Sequence, residues 1–147
     1  MTPAPASKTF RILLIDDNDA DVYLLRRALQ KAGLATEFTV LKDGAEGIAF
    51  ARGQSEPRGQ SEPAPPPDLV VLDLNMPRSG GADVLRAMKG NPALAQVPVV
   101  VMSSSASKAE QAVIAELGAA RFLTKPPDLA GFMKIAEIFR ELLLHGI

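Results

Sequence analysis

The sequence predicts an α/β fold built on a doubly wound parallel sheet, and three observations carry that prediction. Short β-rich segments alternate five times with segments of helical periodicity along the 147-residue chain, and parallel strands require helical crossovers of one hand. The runs Val70-Val71-Leu72 and Val99-Val100-Val101 are apolar without alternation, as expected of strands covered on both faces. The chain is also too short for a closed eight-stranded barrel, which typically needs about 250 residues. An open sheet with helices on both sides remains.

Phe10-Arg11-Ile12-Leu13-Leu14-Ile15 reads as the first strand and stops at Asp16-Asp17-Asn18-Asp19, a run able to cap a helix or gather a cation. From Ala20 to Ala32, Leu25, Ala28, Leu29 and Ala32 recur at helical spacing, and Gly33 ends the helix. Thr36–Leu41 alternates as a second strand, and Asp43-Gly44 opens a short helix running to about Arg52.

The hexapeptide Arg52-Gly53-Gln54-Ser55-Glu56-Pro57 is then repeated letter for letter at 58–63 and followed by Ala64-Pro65-Pro66-Pro67. Such composition buries no core, so about 53–67 is expected to be a flexible Pro-rich insertion, with a Pro-rich ligand for a partner domain as the other reading. Asp68-Leu69-Val70-Val71-Leu72 forms the third strand and delivers Asp73 at its carboxyl end. In open α/β sheets that edge is where ligands bind. The Asp73 carboxylate is there as a nucleophile, a metal ligand or a helix cap.

Gly80-Gly81 leads into a helix over about Ala82–Lys89, closed by Gly90-Asn91-Pro92. Val97–Met102 is the fourth strand and ends in Ser103-Ser104-Ser105. Ser107 and Glu110 have capping-box spacing at the head of the fourth helix. Arg121–Thr124 is a short fifth strand stopping at Lys125-Pro126-Pro127, and Asp128 caps a last helix with Phe132, Ile135, Ala136, Phe139 and Leu143 on one face. Residues 1–8 are expected to be a disordered tail and 9–147 the folded domain.

Totals narrow the classes of function. Sixteen basic and 17 acidic side chains leave a net charge of −1, so no positive surplus prepares the surface for nucleic acid. Cysteine is absent, which removes disulfides and zinc–thiolate sites and fits a reducing compartment such as the cytoplasm. No apolar run approaches a membrane span, and the N-terminal segment lacks a signal-peptide core. His145, the lone histidine, lies in the C-terminal end and is read as neither phosphodonor nor ligand.

In a parallel sheet the strand ends converge on one edge, bringing together Asp16 and Asp17, Asp73, Ser103 and Lys125. Each alone reads blandly, as a cap, a loop hydroxyl or a surface charge. Their conjunction on separate strand ends is harder to obtain from capping alone. Two carboxylates about 4 Å apart repel by roughly 4 kcal/mol at an effective dielectric of 20, so three together call for a cation. Mg2+ is hard and oxygen-seeking and meets that need, while Lys125 adds a fixed positive charge. Open metal positions can take phosphoryl oxygens as Asp73 attacks phosphorus in line to give an aspartyl phosphate, with Ser103 donating to one of those oxygens.

On Asp16-Asp17, Asp73-Leu74-Asn75-Met76-Pro77 with Gly81, Ser103 and Lys125-Pro126, the chain resembles the receiver domains of bacterial two-component response regulators from Phe10 to about Leu144. The resemblance implies a flavodoxin-like receiver fold with strand order 2-1-3-4-5. It implies Asp73 as phosphoacceptor; Asp17, Asp73 and the backbone carbonyl of Asn75 as Mg2+ ligands; and Asp16 assisting through water. Ser103 and Lys125 would contact the phosphoryl group, the Lys125–Pro126 bond would be cis, and Phe122 would be the aromatic that follows Ser103 on activation. Phe122 has no hydroxyl, so its part in a switch would be packing.

The implied partner is a sensor histidine kinase, and the output is the surface of helix four, strand five and helix five. That surface would serve a downstream protein or phosphotransfer partner, or a homodimer extended by Leu142, Leu143, Leu144 and Ile147. The Leu74-Asn75-Met76-Pro77 and Val99–Ser105 stretches and the Pro-rich insertion are also similar to the single-domain regulators paired with bacteriophytochrome kinases. Such a protein is no enzyme beyond its own phosphorylation and dephosphorylation. The alternatives are an unphosphorylated receiver-like scaffold, a flavin-binding module and a haloacid-dehalogenase-type phosphatase. The last would carry a second acid where Asn75 stands, and the acidic run after strand one would repel a flavin phosphate.

Overall fold

The computed structural model describes residues 9–53, 66–76, 80–105 and 107–146. The expected tail 1–8, most of the insertion at 53–67, Pro77 and Ile147 lie outside them. Five strands alternate with five helices: β1 Phe10–Ile15, α1 Asp19–Lys31, β2 Thr36–Leu41, α2 Gly44–Ala51, β3 Leu69–Asp73, α3 Gly81–Lys89, β4 Val99–Ser103, α4 Lys108–Glu116, β5 Arg121–Thr124 and α5 Leu129–His145. All pairings are parallel, in the order β2-β1-β3-β4-β5. This is the doubly wound receiver topology.

Alternate side chains of the central strands divide between two apolar layers. Ile12, Leu14, Leu69, Val71, Val100 and Met102 face α1 and α5, where they meet Leu25, Leu29, Phe132 and Phe139. Leu13, Ile15, Val70, Leu72, Val99 and Val101 face the other way, onto Val84, Leu85, Met88 and Ile114 of α3 and α4. Burial on both faces is why β3 and β4 carry no polar residue until their last positions, Asp73 and Ser103.

Helix starts follow from capping chemistry. Asn18 accepts from the Ala20 and Asp21 amides, Asp43 from Glu46, Ser107 from Glu110 and Asp128 from Gly131. The Ser107–Glu110 capping box is complete. Two glycines allow close approaches next to the strand ends. A Cβ at Gly81 would come within 2.9 Å of the Leu74 side chain, and one at Gly131 would overlap Pro126.

Several expectations need correction. The fourth strand begins at Val99, not Val97, because Pro98 has no amide to donate, although its carbonyl accepts from Val70 at 3.0 Å. Leu142 and Leu143 pack against the α1/α5 apolar layer, so of the apolar C-terminal residues that are described Leu144 is the one left exposed. The proposed patch is correspondingly smaller. The Lys125–Pro126 bond is trans, as are all peptide bonds among the described residues. The Lys125 amide continues the β4–β5 ladder to the Ser103 carbonyl at 2.8 Å, and trans is the lower-energy X–Pro isomer by about 0.5–1 kcal/mol. Among the described residues no helix is long and apolar enough to cross a membrane.

Candidate functional site

Register brings the polar strand ends together. Ile15 pairs with Leu72, Asp73 with Met102 and Ser103 with Thr124. Asp16, Asp73, Ser103 and Lys125 therefore emerge side by side at one edge of the sheet. Asp16, Asp73 and Ser103 are the buried polar residues of the described chain, and each stands where a buried apolar strand gives way to a turn.

Asp16 and Asp73 are held in the same way. Oδ1 of Asp16 accepts from the Asn18 amide at 2.8 Å, and Oδ1 of Asp73 accepts from the Asn75 amide at 2.9 Å. These two-residue turns fix both carboxylates. Their other oxygens, Oδ2, face the Lys125 ammonium at 3.5 Å and 3.0 Å respectively. Asp17 is exposed, but one of its oxygens lies with those of Asp16 and Asp73 inside a group whose members are all within 4.8 Å of one another. Three converging carboxylate oxygens suit a small, hard divalent cation.

The electrostatics match this crowding. Burial pushes the Asp16 carboxyl up to about 7; the Asn18 amide opposes the rise, the Asp73 charge adds to it, and Lys125 and Asp21 oppose and add in turn. Burial alone would depress Lys125, yet its hydrogen bonds to Asp21 and Asp73 and the charges of Asp16 and Asp73 outweigh that effect and raise it. The lysine stays an ammonium. Asp73 thus has a permanent positive charge beside it.

Ser103 Oγ lies 2.8 Å from Asn75 Oδ1 and 2.6 Å from the Ser105 carbonyl, and its single proton serves one acceptor at a time. Asn75 Oδ1 also accepts from the Ser104 amide at 2.9 Å. The side chain of Asn75 thereby ties the turn after β3 to the turn after β4, a role the sequence reading, which singled out its carbonyl, did not foresee. Phe122 pairs with Val101 across β4–β5 and is half-buried against the α3/α4 layer. His145 sits in the last turn of α5, 4.0 Å from Glu141.

Asp21 was also missed. Its Oδ2 makes the shortest of the Lys125 contacts, at 2.6 Å. Asp21, Leu25 and Ala28 share one helical face, and Leu25 and Ala28 are fully buried. A carboxylate at the head of an apolar stripe was the available signal.

The fold and this edge define the chain's family. Residues 12–137 match the response regulator receiver domain, and the chain belongs to that family. It is 35% identical over 136 residues to Response regulator Rcp1 of Synechocystis sp., covering 92% of this chain and 90% of that protein. The structure of Rcp1 in its Mn(2+)-bound form superposes with TM-score 0.77 at 31% identity, over 94% of this chain and 96% of the other. The phosphorylated cyanobacterial phytochrome response regulator RcpA gives TM-score 0.80 at 31% identity, over 95% and 97%. The bacteriophytochrome response regulator AtBRR gives 0.68 at 32% identity, over 88% and 91%.

Proposed function

We propose that the chain is a cytoplasmic response regulator that accepts a phosphoryl group from a sensor histidine kinase on Asp73, with Mg2+ held by Asp17, Asp73 and the carbonyl of Asn75 and assisted by Asp16. The observation that carries this reading is the approach of the Lys125 ammonium to within 3.0 Å of Asp73 Oδ2 beside the three-carboxylate group. In the transfer, a carboxylate oxygen of Asp73 forms a bond to phosphorus as the P–N bond of the kinase phosphohistidine breaks. The departing imidazole nitrogen keeps the electron pair and takes up a proton. Mg2+, when bound, neutralises charge on the transferring oxygens.

Lys125 balances the negative charge that the phosphoryl group adds to a buried edge. Ser103 would leave Asn75 and Ser105 to donate to a phosphoryl oxygen, and Phe122 would repack behind it. This changes the surface of α4, β5 and α5, which would engage a downstream protein, a phosphotransfer partner or a second copy of the chain. Nucleic acid and membrane are not among the partners. The likeness to RcpA, Rcp1 and AtBRR supports a bacteriophytochrome as the kinase. Residues 9–147 would form the receiver. Steady turnover of an external substrate is not part of the function.

The test is phosphotransfer from the autophosphorylated phytochrome kinase of the same genome. Label should move to the parent chain within minutes and not to Asp73→Asn. Equal labelling of the variant would refute the assignment.

A further inference from the structure

Asp19 and Asp21 both occupy the first turn of α1, and the field at a helix N-terminus would account for either. Their surroundings separate them. The Asp19 side chain is 80% exposed and pairs with the exposed Lys42 at 2.8 Å. The Asp21 side chain keeps 17% exposure and stands 2.6 Å from Lys125 Nζ, closer than Asp73 at 3.0 Å or Asp16 at 3.5 Å. Removing a carboxylate from water to that extent is unfavourable unless an opposite charge meets it. The Asp21–Lys125 pair therefore needs more than the helix field to explain it.

We propose that Asp21 is a positioning residue for Lys125: it draws the ammonium toward α1 and so keeps Asp16 and Asp73 available to a divalent cation. A lysine ammonium is a compact charge on a flexible stem with three donors. Surrounded by three carboxylates, it divides its charge among them. Without Asp21, the carboxylates beside it among the described residues are those of Asp16 and Asp73. The ammonium then closes on those two and competes with the cation from inside the protein. Loss of Asp21 also removes a negative charge from the neighbourhood, which weakens cation binding without involving Lys125. A double-substitution cycle separates the two contributions.

The inference rests on the reading of Asp16, Asp17 and Asp73 as a Mg2+ site, so its test uses binding and not phosphorylation. The full chain is titrated with MgCl2 by calorimetry, and the side-chain ammonium signal of Lys125 is followed by 15N NMR. Asp21→Asn should raise the Mg2+ Kd at least fivefold, while Asp21→Glu stays within twofold of the parent. In a Lys125→Met protein the same Asp21→Asn change should shift Kd less than twofold. The Lys125 signal should shift in Asp21→Asn as the ammonium changes partners and keep its parent position in Asp21→Glu. Should the Asn variant fold poorly, Asp21→Gln against Asp21→Glu makes the same comparison at equal length.

An unchanged Kd in Asp21→Asn, or an equal shift with and without Lys125, overturns the positioning role. If Asp73→Asn weakens Mg2+ binding and neither Asp21→Asn nor Asp21→Gln does, the metal site stands and this inference alone falls. A parent chain that binds no Mg2+ removes both.

Discussion

Helices α4 and α5 flank the same short edge strand, β5, but the sheet holds them unequally. The 17-residue α5 buries Phe132, Ile135, Ala136 and Phe139, whereas the nine-residue α4 buries Ile114 alone. Apolar burial contributes roughly 1.5–3 kcal/mol for each large side chain, so α5 is anchored several times more strongly. Both helices lead away from the charged edge. Ser103 feeds the turn into α4, and Lys125 continues through Pro126, which packs on Gly131 of α5. The proposed charge change at Asp73 would meet a firm element along one route and a loose one along the other, and α4 is the one expected to move.

The largest test of this contrast is core truncation. Phe139→Ala should cost about 3–5 kcal/mol in urea unfolding, and Ile114→Ala about 2 kcal/mol, because the thin α4 contact can collapse into the space. Equal costs would erase the difference between the helices.

A pH series asks how far charge at the edge opposes folding before any metal is added. Asp16 has a folded-state pKa of about 7 against 3.8 for the free side chain. Its contribution to stability is therefore fully present below about pH 4 and lost as pH rises through 7. In EDTA, Asp16→Asn should be indistinguishable from the parent near pH 4 and more stable by on the order of 2 kcal/mol at pH 8. A difference independent of pH would show that Asp16 is not strained by its charge.

The smallest effect sharpens the comparison locally. Ser107→Ala removes one half of the α4 capping box and should cost about 1 kcal/mol. Hydrogen exchange should show the loss in α4 amides alone. In the parent, α4 amides should already exchange at least tenfold faster than those of α5, a gap of about 1.4 kcal/mol.

How much of this was legible in the sequence depended on whether a residue's type was unusual for its place. Asp73 after Leu72 and Asp16 after Ile15 interrupt apolar runs, so both strand ends could be read, and parallel register then placed Ser103 and Lys125 beside them. Asp21 was hidden because an acid in the first turn of a helix is ordinary, and only its alignment with Leu25 and Ala28 betrayed it. The Asn75 side chain was hidden for another reason. Its bonds to Ser103 and Ser104 join two turns 28 and 29 residues apart in sequence, a contact that no local pattern encodes. The strand start at Val99 followed from hydrogen bonding at Pro98, which apolar patterning overran. Leu142 and Leu143 looked free because a chain end is usually exposed, yet the α5 stripe carries them onto the sheet.

If Asp16, Asp17, Asp73 and Lys125 form one magnesium-dependent phosphoryl-accepting pocket, a small phosphodonor should modify Asp73. Intact-mass measurement after incubation with acetyl phosphate tests it most directly. With Mg2+ the parent should gain a single phosphoryl group, and it should gain none in EDTA or as Asp73→Asn. Uptake by Asp73→Asn at the parent level, or uptake undiminished by EDTA, would rule that pocket out.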